Sequence, residues 1–120
     1  MNQSKEMLRV ACHAMAEKKA EDLKAIDLKE ISIITDYFAI CSCTNSNQMQ
    51  AMVDAIHEDM HKAGYTCKQT EGNQYSSWIL VDYTDIIIHV FTKEDREFYN
   101  IERIWSDGKK VDLEALLSGN

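Results

Sequence analysis

Proline is absent from the 120-residue chain, and its four glycines, at positions 64, 72, 108 and 119, lie far apart. A phosphate-binding loop of the P-loop or Rossmann kind needs closely spaced glycines, because the backbone must approach the phosphates. The scattered glycines therefore exclude nucleotide binding of those two kinds. No serine lies in a G-x-S-x-G elbow, so covalent catalysis by a hydrolase of that type has no support.

A long hydrophobic run is also missing, since no stretch of about 18 apolar residues is present to span a membrane. The first six residues lack the basic and then apolar pattern of a secretory signal. We therefore expect a cytosolic protein without membrane contact, whose four cysteines are reduced thiols. Cys41 and Cys43 would share one side of a strand, where buried apolar packing is favoured over a metal or redox role.

Positive charge is scarce, with 13 Lys and Arg against 20 Asp and Glu and a net charge of −7. The basic residues are mostly isolated or paired, as in Lys18-Lys19 and Lys109-Lys110. Binding along a nucleic acid usually requires clustered lysine and arginine, so we expect little direct nucleic-acid contact. An acidic protein of this kind is better suited to a basic protein partner.

Length and composition favour one domain spanning residues 1–120. Hydrophobic residues make up 45% of the chain and charged residues 28%, which is enough for a packed core. The strongest helix and strand patterns lie between about residues 5 and 107. The remaining segment, 108–120, is predicted to be a tail or short helix carrying an apolar cluster.

Helix and strand patterns alternate along the chain and predict an α/β (α+β) fold, a mixed sheet of mostly five strands flanked by helices. Residues 37–43 are almost continuously apolar, which is typical of a strand buried on both faces. Thr92 and Asp95 form a capping box that starts the third helix. The predicted strands are 23–28, 37–43, 65–70, 78–82 and 86–91, and the predicted helices are 4–19, 44–63, 92–107 and 111–117.

The segment His57-Glu58-Asp59-Met60-His61 matches the H-E-x-x-H pattern of zinc hydrolases. In those enzymes both histidines face an enclosed site, whereas here the apolar stripe of the helix claims the core side. We expect His61 and Glu58 to face solvent and the chain to hold no metal. A metal-dependent hydrolase using His57 and His61 is nevertheless retained as an alternative function.

The segment from Trp78 to Phe91 combines large apolar side chains with polar ones, a composition typical of protein interfaces. The residues alone support equally a plain central hairpin in which Trp78 and His89 are partly buried. Asp82 and Asp85 flank the predicted turn, where aspartate is ordinary turn chemistry and need not bind a metal.

Three segments resemble the iojap family, the ribosomal silencing factors of bacteria and organelles: 35–42 (TDYFAICS), 78–91 and 96–105 (REFYNIERIW). The resemblance covers nearly the whole chain, from about Met7 to Asp107. It implies a fold like that of nucleotidyltransferases. Cys43-Thr44 replaces the Gly-Ser turn of those enzymes, and the predicted strand 65–70 contains no carboxylate, so their catalytic carboxylates are absent. A residual nucleotidyltransferase is a further alternative.

The resemblance implies a non-enzymatic protein without cofactor that binds large-subunit ribosomal protein number fourteen. Docking there would block association with the small subunit and repress translation when nutrients are limiting. The family positions that we predict to contact this partner are Trp78, Asp82, Tyr83, Asp85, His89, Lys93 and Arg96. A different reading of the same hairpin is a self-association surface, which would make the free protein a homodimer.

Two positions depart from the family pattern, because glycine is usual where Cys43 and Thr84 stand. Thr84 lies in the predicted hairpin turn, where a glycine indicates a positive φ angle. A β-branched residue in that conformation costs energy, so we expect a strained turn.

Overall fold

Five helices and six strands make up the part of the chain that the structure, a computed structural model, describes: residues 2–73 and 75–118. The helices are α1 (Gln3–Glu17), α2 (Ser46–Lys62), α3 (Lys93–Tyr99), α4 (Ile101–Ile104) and α5 (Leu113–Ser118). The strands are β1 (Glu21–Asp27), β2 (Tyr37–Cys43), β3 (Gln69–Glu71), β4 (Trp78–Asp82), β5 (Ile86–Thr92) and β6 (Lys109–Lys110).

The six strands form one mixed sheet in the order β3-β4-β5-β2-β1-β6. Only β2 and β5 run parallel, and the other neighbouring pairs are antiparallel. The predicted mixed sheet with flanking helices is confirmed, as is the hairpin of β4 and β5. The sheet has six strands rather than five because Lys109–Lys110 adds a two-residue strand at the edge of β1, too short to leave a period-2 pattern in the sequence.

One face of the sheet packs against α1 and α2 and contains most of the core. Alternate residues of the strands point toward these helices, and the apolar stripe of α2 meets them. Each fully buried Leu, Ile or Met contributes about 2 kcal/mol to folding. The largest fully buried side chains on this side are Leu8, Met15, Met49, Met52, Ile56, Met60, Ile86 and Ile88.

Polar side chains cap the second and third helices, and Thr92 is the predicted cap of the third. The Asn45 side chain accepts a hydrogen bond from the Gln48 N–H at 2.8 Å, and the Thr92 hydroxyl accepts one from the Asp95 N–H at 3.3 Å. Each such cap stabilises its helix by about 1 kcal/mol. The first helix begins one residue before its predicted start, and the Asn2 side chain caps it by accepting a hydrogen bond from the Lys5 N–H.

The predicted helix 92–107 is divided into two short helices, so the prediction of one continuous helix is wrong. Asn100 has left-handed backbone angles, φ 43° and ψ 54°, and separates α3 from α4. Asparagine tolerates this conformation better than most residues. The turn brings Ile101 back onto the sheet but leaves Phe98 and Ile104 exposed, at 79% and 71%, so these residues do not share one buried face.

The predicted strand 65–70 is also shorter and displaced, since β3 begins only at Gln69 and all three of its residues are exposed. Ala63, the last residue of the predicted second helix, lies just after α2 and is exposed as well. Farther along, the predicted carboxy-terminal apolar cluster does pack, because Leu116 of α5 is buried in the same core as α1. No helix in the described residues is long and apolar enough to cross a membrane.

The turn between β4 and β5 holds Thr84 in a strained conformation, with φ at 73°. The Asp85 N–H donates to the Tyr83 carbonyl at 2.8 Å, which defines a γ-turn centred on Thr84. The Asp82 side chain supports the turn by accepting a hydrogen bond from the Thr84 N–H at 2.7 Å. This is the position at which the family pattern has glycine.

Replacing Thr84 with glycine should raise the free energy of unfolding by about 1 kcal/mol, because glycine adopts a positive φ without steric cost. Urea denaturation of the two proteins measures the difference. Thr66→Gly is the matched control: Thr66 is exposed and is not among the positive-φ residues, so added flexibility should lower stability there. Equal losses in both variants would show that the turn is unstrained.

Candidate functional site

The second face of the sheet is only partly covered by helices. In β4 the buried residues Ile79 and Val81 point toward the core, so Trp78, Leu80 and Asp82 point to this second face. Helix α4 and the residues after it cover the β2 side, where Ile101 and Trp105 pack in a small apolar cluster. The β3-β4-β5 side of this face is left open.

We call the half-buried residues Trp78, Leu80, Asp82 and Ile87 the open strip. Cross-strand pairing places Asp82 opposite Ile87, and Trp78 opposite the buried Phe91. On the outer side, Gln69 and Glu71 of β3 pair with Asp82 and Leu80 and add polar groups. Leu80 and Ile87 are not among the predicted contact residues, although strand alternation places Leu80, and hairpin pairing places Ile87, on the same face as Trp78.

Trp78 is held by aromatic neighbours. Its ring stacks on Phe91 with centroids 4.9 Å apart and lies 4.8 Å from the ring of Tyr99. On the neighbouring strands, the His89 ring contacts the edge of Phe38 at 4.6 Å. Aromatic pairs at these separations stabilise by about 1 kcal/mol beyond the area that they bury. The indole is therefore fixed in one orientation at one end of the open strip.

A hydrogen bond from Trp78 determines which ring nitrogen of the neutral His89 carries the proton. The Trp78 Nε1–H donates to His89 Nδ1 at 3.1 Å. An indole N–H can only donate, so Nδ1 carries no proton and the neutral ring holds its proton on Nε2. Burial lowers the pKa of His89 to about 4 because it desolvates the charged form. With its N–H occupied, Trp78 offers a partner an apolar ring.

Arg96 is buried and joins three elements beneath α3. Its Nε and Nη2 donate to the two carboxylate oxygens of Glu102 at 2.9 and 3.2 Å. Its Nη1 donates to the Asp22 carbonyl at 2.6 Å and to the Ser42 hydroxyl at 3.0 Å. The guanidinium thus ties α3 to α4, β1 and β2, and its donors are used inside the protein.

The predicted contact residues do not form one continuous surface. Trp78, Asp82 and His89 lie on the open side of the sheet, but His89 is buried beneath it. Tyr83 is buried in the main core. Three of the predicted contact residues are buried, namely Tyr83, His89 and Arg96, and their positions do not fit direct contact with a partner. The family resemblance identified these positions but gave no information on their burial.

Asp85 and Lys93 are the other two predicted contacts, and they lie at opposite ends of β5. Asp85 is half-buried in the hairpin turn, and its carbonyl accepts a hydrogen bond from the Asp36 N–H at 2.9 Å. Lys93 is exposed at the start of α3, with its Nζ 3.1 Å from Glu21 Oε2. Both remain accessible to a partner.

The H-E-x-x-H segment lies on α2 without the geometry of a zinc site. Glu58 is exposed and pairs with Lys62 at 2.9 Å, a hydrogen bond that lowers the pKa of the Glu58 carboxyl. His57 Nε2 lies 3.1 Å from the Thr70 hydroxyl. Within residues 2–73 and 75–118, no group of three or more His, Cys, Asp or Glu side chains is arranged to hold a metal ion.

The chain matches a known protein family over almost its full length. Residues 1–119 match the family model described as "Ribosomal silencing factor during starvation". A Bacillus subtilis protein named ribosomal silencing factor RsfS is 40% identical over 114 residues, which are 95% of this chain and 96% of that protein.

Two crystal structures have the same fold. A Bacillus halodurans protein is 34% identical, with a TM-score of 0.79 over 89% of this chain and 97% of its own. A Chromobacterium violaceum protein, 23% identical, has a TM-score of 0.84 over 88% of each chain. The chain therefore belongs to the iojap family of ribosomal silencing factors that act during starvation, which are ribosome-binding proteins rather than enzymes.

Proposed function

We propose that the protein docks through its open strip on large-subunit ribosomal protein number fourteen and sterically blocks joining of the small subunit. This docking takes place in the cytoplasm and represses translation when nutrients are limiting. The observation that carries this proposal is a sheet face left uncovered by helices, with Trp78, Leu80 and Ile87 half-buried and carboxylates at the margin.

The chemistry of the open strip suits a protein partner with basic groups. Interfaces concentrate their binding energy in a few aromatic and aliphatic anchors surrounded by polar residues. Leu80 and Ile87 supply apolar area beside Trp78, while Asp82 and Glu71 supply negative charge around it. The net charge of −7 favours the approach to a basic ribosomal protein.

The seven family positions divide into contacts and supports under this proposal. Trp78 is the aromatic contact, and the accessible Asp82, Asp85 and Lys93 are polar contacts. Tyr83, His89 and Arg96 are supports: Tyr83 fixes the hairpin end in the core, His89 orients the indole, and Arg96 holds α3 and α4 in place.

Sedimentation of purified bacterial large and small subunits, with and without the protein, tests the proposal. We expect the protein to travel with the large subunit and the fraction of joined ribosomes to fall. Normal joining, with the protein left at the top of the gradient, would refute it. Light scattering of the free protein separately reports whether it self-associates.

Variants locate the contact on the open strip. Leu80→Ser should weaken large-subunit binding by about ten-fold and Trp78→Ala by about thirty-fold, as expected for interface anchors. The matched control is Ile104→Ser, which changes an exposed apolar residue on α4 that is not part of the open strip and should bind normally. Thermal unfolding must accompany Trp78→Ala, because loss of its stacking on Phe91 also destabilises the domain. Equal binding by Leu80→Ser and Ile104→Ser would place the contact elsewhere.

A further inference from the structure

We propose that the loop between β1 and β2 forms a second contact with the large subunit, in which Ile33 and Ile34 enter an apolar recess with a basic rim on a protein of that subunit. This inference rests on the proposed function and extends its docking surface beyond the open strip.

Three isoleucines in this loop project into solvent. Ile33 is fully exposed, at 105%, and Ile34 and Ile31 are exposed at 75% and 43%. Single exposed apolar residues are normal on protein surfaces, but a group within four consecutive positions marks an interaction site. Burying an exposed isoleucine against a partner is favourable in proportion to the apolar area removed from water.

The loop is internally ordered, so it presents the isoleucines on a defined backbone. The Ile31 and Ser32 N–H groups both donate to the Leu28 carbonyl, at 3.0 and 2.8 Å. The Ile34 N–H donates to the Ser32 hydroxyl at 3.1 Å. Leu28 is itself fully buried and anchors the loop to the domain. A preformed loop loses little conformational entropy on binding, which favours a docking role.

The loop adjoins the same end of the sheet as the open strip. The Leu28 N–H donates to the Asp36 carbonyl at 2.8 Å, and the Asp36 N–H donates to the Asp85 carbonyl in the β4–β5 turn at 2.9 Å. Asp82 and Ile87, which face each other where β4 and β5 meet that turn, are the nearest members of the open strip. One partner surface can therefore contact the strip and the loop together.

The charges around the isoleucines identify the chemistry of the partner. Lys29 lies 3.3 Å from Asp27, so its charge is already paired within the protein. Lys109 is likewise paired, because its Nζ lies 3.0 Å from Oε2 of Glu30 in this loop. The carboxylates of Asp36 and Asp85 are additional to these pairs. The loop and the adjoining turn therefore carry more negative than positive charge, which is complementary to a basic protein and is repelled by an anionic membrane, by RNA and by a second acidic copy of the chain.

The double variant Ile33→Ser/Ile34→Ser tests the loop in the full chain. Both side chains are exposed, so thermal unfolding should match that of the unmodified protein. We expect its affinity for purified large subunits, measured by sedimentation, to fall about ten-fold or more. Ile104→Ser, which changes an isoleucine outside the loop that is 71% exposed, should bind as the unmodified protein does.

The outcomes separate this inference from the proposed function. Normal binding by the loop variant together with weak binding by Leu80→Ser would overturn the loop contact and leave the proposed function standing. Failure of the unmodified protein to bind large subunits would overturn both. Light scattering in which the loop variant loses self-association while retaining large-subunit affinity would assign the loop to a second copy of the chain and would also overturn the proposal.

Discussion

Replacing Arg96 with methionine should lower the free energy of unfolding by about 3 kcal/mol, the largest loss expected from a single side chain of the candidate site. The buried guanidinium makes paired hydrogen bonds to Glu102 and single ones to the Asp22 carbonyl and Ser42. Methionine retains the packing of the aliphatic stem but leaves these acceptors without their donor. Urea denaturation monitored by circular dichroism measures the loss.

The backbone of β1 shows why Arg96 is hard to replace. Asp22 has a positive φ of 50°, at the point where the register between β1 and β2 shifts. The bond from Arg96 Nη1 to the Asp22 carbonyl holds this irregular backbone, and the fork to Glu102 holds α4. Arg96→Lys should therefore recover little stability, because an ammonium group cannot span both directions.

Lys93→Met is the matched control for Arg96→Met, since Lys93 lies on the same helix and makes an exposed ion pair with Glu21 at 3.1 Å. Exposed pairs contribute less than about 1 kcal/mol, so this variant should unfold almost as the unmodified protein does. Similar losses in the two variants would show that burial of the guanidinium adds nothing to its contribution.

Regular patterns in the sequence predict most of the sheet and the longer helices. The continuous apolar run 37–43 corresponds to β2, all seven residues of which are buried. The two strands 78–82 and 86–91 form the predicted hairpin. These elements are predictable because burial along a whole face requires apolar residues at the regular spacing of that helix or strand.

Elements that depend on distant contacts could not be predicted in this way. The spacing of Phe98, Ile101, Ile104 and Trp105 fits one continuous helix, yet the left-handed Asn100 breaks it. An asparagine can be tolerated within a helix or can end one, and the sequence around Asn100 does not show which of the two occurs. Only the sheet beneath, which receives Ile101 and Trp105, makes the broken form favourable.

The location of the candidate site in the chain was predictable, but the burial of its individual residues was not. The resemblance and the composition both indicate the hairpin from Trp78 to Asp85. Neither reveals that Tyr83 faces the core while Trp78 lies at the surface, because residues of a turn do not follow strand alternation. Alternation within β4 does predict that Leu80 shares a face with Trp78. This alternation is the sequence feature from which the open strip could have been predicted.

Acidification from pH 6.5 to pH 4 should destabilise the protein by up to about 3 kcal/mol through His89 alone. Burial lowers the folded-state pKa of His89 to about 4, below its ordinary value of 6.5. Below pH 6.5 the unfolded chain binds a proton that the folded protein does not yet take up. The stability associated with neutral His89 is therefore complete above pH 6.5 and is lost as the pH falls toward 4.

His89→Asn separates this titration from that of the surface carboxylates. The asparagine Oδ1 lies near the position of histidine Nδ1, so it can accept the Trp78 indole hydrogen bond, but the amide does not titrate. The carboxylates are common to both proteins, and their contributions cancel in the difference between the two stability curves. We expect the unmodified protein to lose about 3 kcal/mol more than His89→Asn between pH 6.5 and pH 4.

The same protonation connects stability to docking, because an imidazolium has no lone pair to accept the Trp78 N–H. Once His89 is charged, the indole loses the bond that orients it beside the open strip. Exchange of the Trp78 indole hydrogen, followed by NMR and divided by the intrinsic exchange rate at each pH, should rise as the pH approaches 4 in the unmodified protein and not in His89→Asn. Parallel stability curves with unchanged indole exchange would mean that His89 does not orient Trp78, and that stacking on Phe91 and Tyr99 fixes the ring without it.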